Sequence, residues 1–226
     1  SQPAPRSSLA ESYRALFRLV KTLWRTSPHT VFFLGASAIF RDGLAGVFTF
    51  GGVIAGKVFG FSNAEVIQFA IAANVVAGLA TIAGGKLDDV IGPKRVIILS
   101  LTLMIIAGFF VFFFHDGGAT IFWIFGLILC IFVGPAQSAS RTFLARIIPS
   151  GKEGEVFGLY ATTGRAVSFL APAAFTTATL IGEQLHGTGQ GAHFGILGII
   201  AVLALGLALL VPVHPDKSRY HIHAEP

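Results

Sequence analysis

Charged side chains are scarce in this sequence of 226 residues: they make up 12% of it, while 54% is hydrophobic and the mean hydropathy is +0.75. A soluble domain carries roughly 25% charged residues and must cover itself with polar surface however large its core. The shortage excludes an ordinary water-soluble globule, and lipid is the solvent for most of the chain. A single cysteine, Cys130, excludes an intramolecular disulfide and gives no sign of an oxidised extracellular module. No Gly-rich loop followed by Lys-Ser/Thr is present, which removes the usual machinery for driving transport with ATP. A membrane enzyme needs a nucleophile with its base, or a metal cluster, at a defined depth. The histidines (His29, His115, His186, His193, His214, His221, His223) fall in loops, helix ends or tails. The pair His221 and His223 offers two ligands on a terminal tail, a place where histidines are more readily solvated than metal-bound. The expectation is therefore no enzyme, no metal site and no cofactor.

Between the few charged segments run apolar stretches near the roughly 20 residues that a spanning helix needs. Six spans are read, at 28–56, 65–85, 96–114, 119–145, 155–182 and 192–211. Short turns at 57–63 and at His115-Asp116-Gly117-Gly118 join the first and second spans and the third and fourth. Residues 97–114 and 198–211 are apolar on every face, without the period of two that a porin strand requires, so a barrel is rejected. Helices are the remaining way to satisfy a backbone in lipid. The predicted fold class is all-α membrane protein, with 1–27 as a cytoplasmic linker carrying a basic amphipathic helix, 28–213 as a six-helix transmembrane bundle, and 214–226 as a cytoplasmic tail.

The formal charge of +5 and a pI near 9.7 could suggest nucleic acid, but the positions of the bases decide otherwise. Arg6, Arg14, Arg18, Lys21 and Arg25 precede the first span; Lys86, Lys94 and Arg95 follow the second; Arg141 in the last turns of the fourth joins Arg146 and Lys152 between the fourth and fifth; Lys217 and Arg219 follow the last. Thirteen bases thus fall on one side and only Lys57 on the other, a positive-inside pattern that puts both termini in the cytoplasm and needs no nucleic acid. Residues 1–10 lack the apolar core of a signal peptide, and 1–8 read as a linker. Within 13–25, Tyr13, Leu16, Phe17, Val20 and Trp24 share one helical stripe, and Arg14, Arg18, Lys21 and Arg25 the other. A calmodulin-type target has the same pattern, but the position directly before a span favours a helix lying against anionic headgroups at the inner face.

Polarity then separates the spans. The third and sixth hold no charged or amide side chain, only hydroxyls such as Ser100 and Thr102, and are expected to face lipid all round. The first holds Arg41 and Asp42, the second Gln68 and Asn74, the fourth Gln137, Ser138 and Ser140, and the fifth Thr162, Thr163, Arg165 and Ser168. These four are expected to line a shared polar interior, because intramembrane charges cost several kcal/mol unless they pair or meet water. Asn74, Gln137 and the hydroxyls serve equally well as hydrogen-bonding glue between helices. Arg41 lies roughly 20 Å from the start of its helix and Arg165 roughly 15 Å, at about 1.5 Å per residue, so both sit near the midplane. Adjacent residues on a helix diverge by about 100°, so Arg41 and Asp42 reach one point only if the helix is distorted, which Gly43 and Gly46 permit. Two readings follow: a static ion pair of Asp42 with Arg165, or a site in which Arg165, with or without Arg41, binds an anionic group while Asp42 carries a proton.

The segment Gly85-Lys86-Leu87-Asp88-Asp89-Val90-Ile91-Gly92-Pro93-Lys94-Arg95 resembles the signature loop of the major facilitator superfamily in its second-half copy, and lies between the second and third spans as it does there. Gly85 is expected to permit close helix contact, Asp89 to cap the next helix or bridge to a neighbouring helix end, and Lys94 and Arg95 to anchor at headgroups; Val90 stands where the family has a base. Gly134-Pro135-Ala136-Gln137-Ser138-Ala139-Ser140-Arg141, Ile148-Pro149-Ser150-Gly151-Lys152-Glu153, Phe157-Gly158-Leu159-Tyr160, Gly164-Arg165-Ala166 and Ala171-Pro172 are similar to the vacuole-effluxer branch of that superfamily, which includes amino-acid exporters; a Lys is common there where Arg165 stands. The resemblance implies a secondary transporter working by alternating access, with proton coupling expected, in a bacterial inner (cell) membrane, and implies that this chain is its C-terminal half. The expected partner is the missing N-terminal six-helix half or a second copy of the chain, with lipids and a small solute such as an amino acid. The alternative is a self-associating six-helix module acting as a channel or as a structural or signalling half without carrier activity.

Overall fold

Residues 9–214 are described in the computed structural model of the chain; Arg6, Lys217, Arg219, His221 and His223 lie outside them. The first element, α1 (Leu9–Thr26), precedes six helices long and apolar enough to cross a membrane. These are α2 (Pro28–Lys57), α3 (Asn63–Ile91), α4 (Pro93–Phe113), α5 (Ala119–Ile147), α6 (Glu153–His186) and α7 (Ala192–Leu210). The chain is an integral membrane protein of all-α class.

Local chemistry sets the starts. Pro28 and Pro93 occupy first-turn positions, where a missing N–H costs nothing. Ser62 forms a capping box with Glu65, its Oγ accepting from the Glu65 N–H at 3.2 Å, so α3 begins two residues before the expected start at Glu65. Its far end also exceeds the expectation. The charged segment after the second span is not a loop: α3 continues through Asp88 and Asp89 to Ile91, and the reversal into α4 takes place at Gly92, whose φ of 88° suits glycine.

Helices α5 and α6 are interrupted. In α5 a π-helical turn at Phe122–Gly126 is followed by an irregular Phe132, four residues before Ala136 and three before Pro135, whose ring excludes the carbonyl of Ile131. In α6 the helix Glu153–Ala166 stops, three residues turn, and Leu170–His186 resumes, as Pro172 dictates for the carbonyl of Ser168. The distortion therefore falls in α6 and not in α2, which runs unbroken through Gly43 and Gly46. Those two glycines serve packing instead: a Cβ on Gly43 would stand 2.8 Å from Leu203, and one on Gly46 2.9 Å from Ile199, both on α7.

That close α2–α7 approach corrects another expectation. Far from facing lipid all round, α7 packs against α2, α6 and α4, and α4 packs against α5. An all-apolar helix fits the centre of a bundle as well as its rim. The most exposed spans are α3 and α6, where Ile67, Ile71, Val75, Leu79 and Ile82 form an exposed ridge on α3. At the end where α2 finishes and α3 and α5 begin, Phe59, Phe61, Phe69, Phe122 and Trp123 form an aromatic cluster. At the other end, α1 docks on α2 with Leu23 fully buried and Leu16, Leu19 and Val20 partly so, while Tyr13, Phe17 and Trp24 remain exposed. The expected stripe thus splits into aliphatics against the bundle and aromatics beside the bases.

Candidate functional site

A cavity of about 330 Å³ opens among α2, α5 and α6, within the volume range of small-molecule sites, and is lined by Arg41, Asp42, Gln137, Arg141, Tyr160, Gly164, Arg165 and Ser168. The two adjacent charges on α2 point at opposite sides of the break in α6. Arg41 reaches the first half: Nη2 donates to the Tyr160 carbonyl at 2.7 Å, the guanidinium carbon lies 3.4 Å from the Tyr160 ring centroid, and Nη1 covers Gly164, where a Cβ would approach to 3.0 Å. Its Nε donates back to the Ser37 carbonyl at 3.1 Å. Asp42, 8% exposed, reaches the second half: Oδ2 accepts from the Ala171 N–H at 2.7 Å.

That bond has a simple origin. Ala171 lies in the first turn of the resumed helix, whose leading N–H groups have no acceptor in their own helix. Phe169, at the N-cap, contributes no side-chain bond, so a carboxylate from the neighbouring helix takes the role and meets the positive end of the half-helix dipole. Tyr160 ties the third wall in. Its hydroxyl and the buried Ser140 hydroxyl on α5 are 2.7 Å apart, so Ser140, Tyr160 and Arg41 connect α5, α6 and α2.

Of the residues expected to line the interior, the cavity brings together Arg41, Asp42, Gln137, Arg165 and Ser168. Asn74 is absent from it: its side chain is exposed and donates to the Ala70 carbonyl of its own helix at 2.8 Å, and α3 contributes no wall. Among the described residues no ion pair joins Asp42 to Arg165; the carboxylate instead gives one oxygen to the Ala171 N–H. Two lining residues were not singled out from the sequence. Arg141 counts in the sequence as a base marking sidedness, and both it and Tyr160 stand within family motifs with no site role attached.

The charged segment between α3 and α4 also differs in detail from expectation. Gly84, not Gly85, makes the close helix contact, a Cβ there falling 3.0 Å from Pro135. Asp89 is exposed and α4 has no side-chain cap; Asp88 is the buried acid, 5% exposed, its Oδ1 without a partner among the described residues and Arg146 acting on it electrostatically. Lys94 turns back over the end of α7, donating to the Val211 carbonyl at 2.8 Å and to the Val213 carbonyl, while Arg95 is exposed.

The family model for Atg22-like vacuole effluxers matches residues 1–221. An uncharacterized MFS-type transporter of Bacillus subtilis, YxiO, is 24% identical over 203 residues, covering 89% of this chain and 45% of its own. Autophagy-related protein 22-2 of Neosartorya fischeri is 30% identical over 94 residues, 42% of this chain and 14% of that protein. Autophagy-related protein 22 of Cryptococcus neoformans is 33% identical over 95 residues, again 42% of this chain and 15% of that protein. The chain spans less than half the length of these relatives. Six apolar spans, an interrupted helix braced by two charges of its neighbour, and a match along nearly the whole sequence lead to one assignment: the chain belongs to the Atg22-like vacuole effluxer family.

Proposed function

We propose that the full-length protein is a secondary active transporter that moves a small polar or charged solute, amino acids among the candidates, by alternating access through the cavity among α2, α5 and α6. The observation that carries this reading is a polar cavity with Arg41, Asp42 and Arg165 on its walls, in helices apolar enough to span. Intramembrane charges facing a cavity mark solute and proton pathways, and interrupted helices are where transporters build sites. Both charges of α2 brace the break in α6, so a change of charge at Asp42 would be felt as a change of helix geometry. We take Asp42 as the proton-coupling residue on that ground. The exposed faces of α3 and α6 are the surfaces to be covered by the other six-helix half or by a second copy. The bias of Lys and Arg to one side of the spans in the sequence supports cytoplasmic termini in a bacterial inner membrane, with α1 on the anionic headgroups.

The test is counterflow in proteoliposomes containing the full-length protein. Trans-accelerated uptake supports a carrier; unitary currents without counterflow would instead support a channel. Asp42→Asn is expected to keep exchange while losing its dependence on a proton gradient, and an unchanged gradient dependence removes Asp42 from coupling. Crosslinks from the partner half that map to α4 and α7, and not to α3 and α6, would overturn the proposed interface.

A further inference from the structure

The cavity holds an imbalance of charge. Three guanidinium groups line it, Arg41, Arg141 and Arg165, and the one carboxylate on its walls is Asp42. Asp42 is nearly buried and its Oδ2 is held by the Ala171 N–H, so its negative charge is set against the positive end of a half-helix. Arg41 is fixed by neutral partners, two carbonyls and an aromatic face, none of which cancels its charge. Arg141 lines the same cavity as Arg41. Among the described residues none of the three arginines makes an ion pair, and Arg141 and Arg165 are exposed side chains with no hydrogen bond to the chain.

A cluster of cations at membrane depth requires a counter-charge. Guanidinium forks match carboxylate and phosphate oxygens in two-point contacts, and arginine stays protonated whatever its surroundings. We propose that the solute recognised at this wall carries net negative charge, as a di- or tricarboxylate, an acidic amino acid or a phosphorylated compound, with Arg141 and Arg165 making the contact and Arg41 as a fixed positive backing. This rests on the transporter reading and sharpens it. A neutral zwitterion brings an ammonium group for which this wall offers only the second oxygen of Asp42, the first being held by Ala171, and a cationic solute meets three guanidinium groups against that one carboxylate.

The experiment is a ligand series on the full-length protein, read by thermal shift in detergent and by uptake in proteoliposomes, with succinate, glutamate and inorganic phosphate against leucine and lysine. Stabilisation and uptake by the anions alone are expected. Arg165→Gln and Arg141→Gln should each weaken the anion response roughly 10- to 100-fold, the loss typical of a hydrogen bond to a charged group. Arg165→Lys, which keeps the charge without the fork, should fall between. Arg18→Gln on α1 removes the same charge outside the cavity and should change nothing. Uptake of leucine or lysine without the anions overturns this inference while leaving a transporter; absence of counterflow for every solute overturns the transporter reading, and thermal shift then still reports the charge preference. If phosphatidylglycerol vesicles stabilise the protein through Arg165 and soluble anions do not, the counter-charge is a lipid headgroup and the solute assignment is wrong.

Discussion

Replacing Asp42 separates two jobs that one side chain performs at the break in α6. Its Oδ2 is 2.7 Å from the Ala171 nitrogen in a buried setting. A hydrogen bond to a charged group contributes about 1.5–3 kcal/mol, and a neutral one about 0.5–1.5 kcal/mol. Asp42→Ala removes the acceptor and leaves a buried N–H unpaired, so the loss should reach about 2–3 kcal/mol. Asp42→Asn keeps a carbonyl oxygen at the same place and should cost about 1 kcal/mol. In a full-length protein about twice the size of this chain each kcal/mol lowers the midpoint by roughly 1–2 °C, so the alanine variant should melt on the order of 2–6 °C lower and the asparagine variant about 1–2 °C lower. Scanning fluorimetry of the purified full-length protein reads both. Combining Asp42→Ala with Pro172→Ala lets Ala171 find an acceptor in a continuous helix, and part of the loss should return. Equal melting of the alanine and asparagine variants would refute the capping role, and a double variant no more stable than Asp42→Ala would refute the origin given for it.

Other perturbations follow from the packing. Gly206→Ala should prevent folding or lower the midpoint by more than any cavity variant, because its Cβ would stand 2.5 Å from the Phe40 Cβ and 2.8 Å from the Phe40 backbone nitrogen; expression and melting check it. Tyr160→Phe leaves the buried Ser140 hydroxyl without its 2.7 Å partner, a cost of about 1 kcal/mol by melting, and should keep Arg41 in place because the ring and carbonyl remain. Cys130 is 5% exposed, so a thiol-reactive dye should label it only on unfolding; rapid labelling of the folded protein would show that this part of α5 is more open than described.

Arg41, Asp42, Gln137 and Arg165 were legible in the sequence because polar groups inside apolar spans have few places to go, and one cavity collects all four. Asn74 stands apart from that cavity, because an amide can turn one N–H back onto its own helix, here to the Ala70 carbonyl, and leave its other groups on the exposed face of α3. The break in α6 was written in Pro172, yet Gly43 and Gly46 drew attention to α2, since glycine loosens a helix in principle and in this protein lets Leu203 and Ile199 approach. The apolarity of α4 and α7 could not distinguish lipid from protein as the surroundings, because their packing faces need the same side chains. Arg141 lies at the end of an apolar window, where a base is ordinary, and only the fold brings it to the same cavity as Arg41.

The positions of the two tryptophans give the protein its own optical readout. Trp24 is exposed on α1 beside the bases, and Trp123 lies in the aromatic cluster with Phe61 and Phe69 at the far end of the helices. One fluorophore therefore samples the environment of the docked amphipathic helix, and the other the joint between α3 and the π-helical turn of α5. In a full-length protein with any tryptophan outside this chain replaced by phenylalanine, Trp24→Phe and Trp123→Phe variants probed by quenchers restricted to one side of a bilayer would reveal which end of the bundle faces which compartment, without attaching any label.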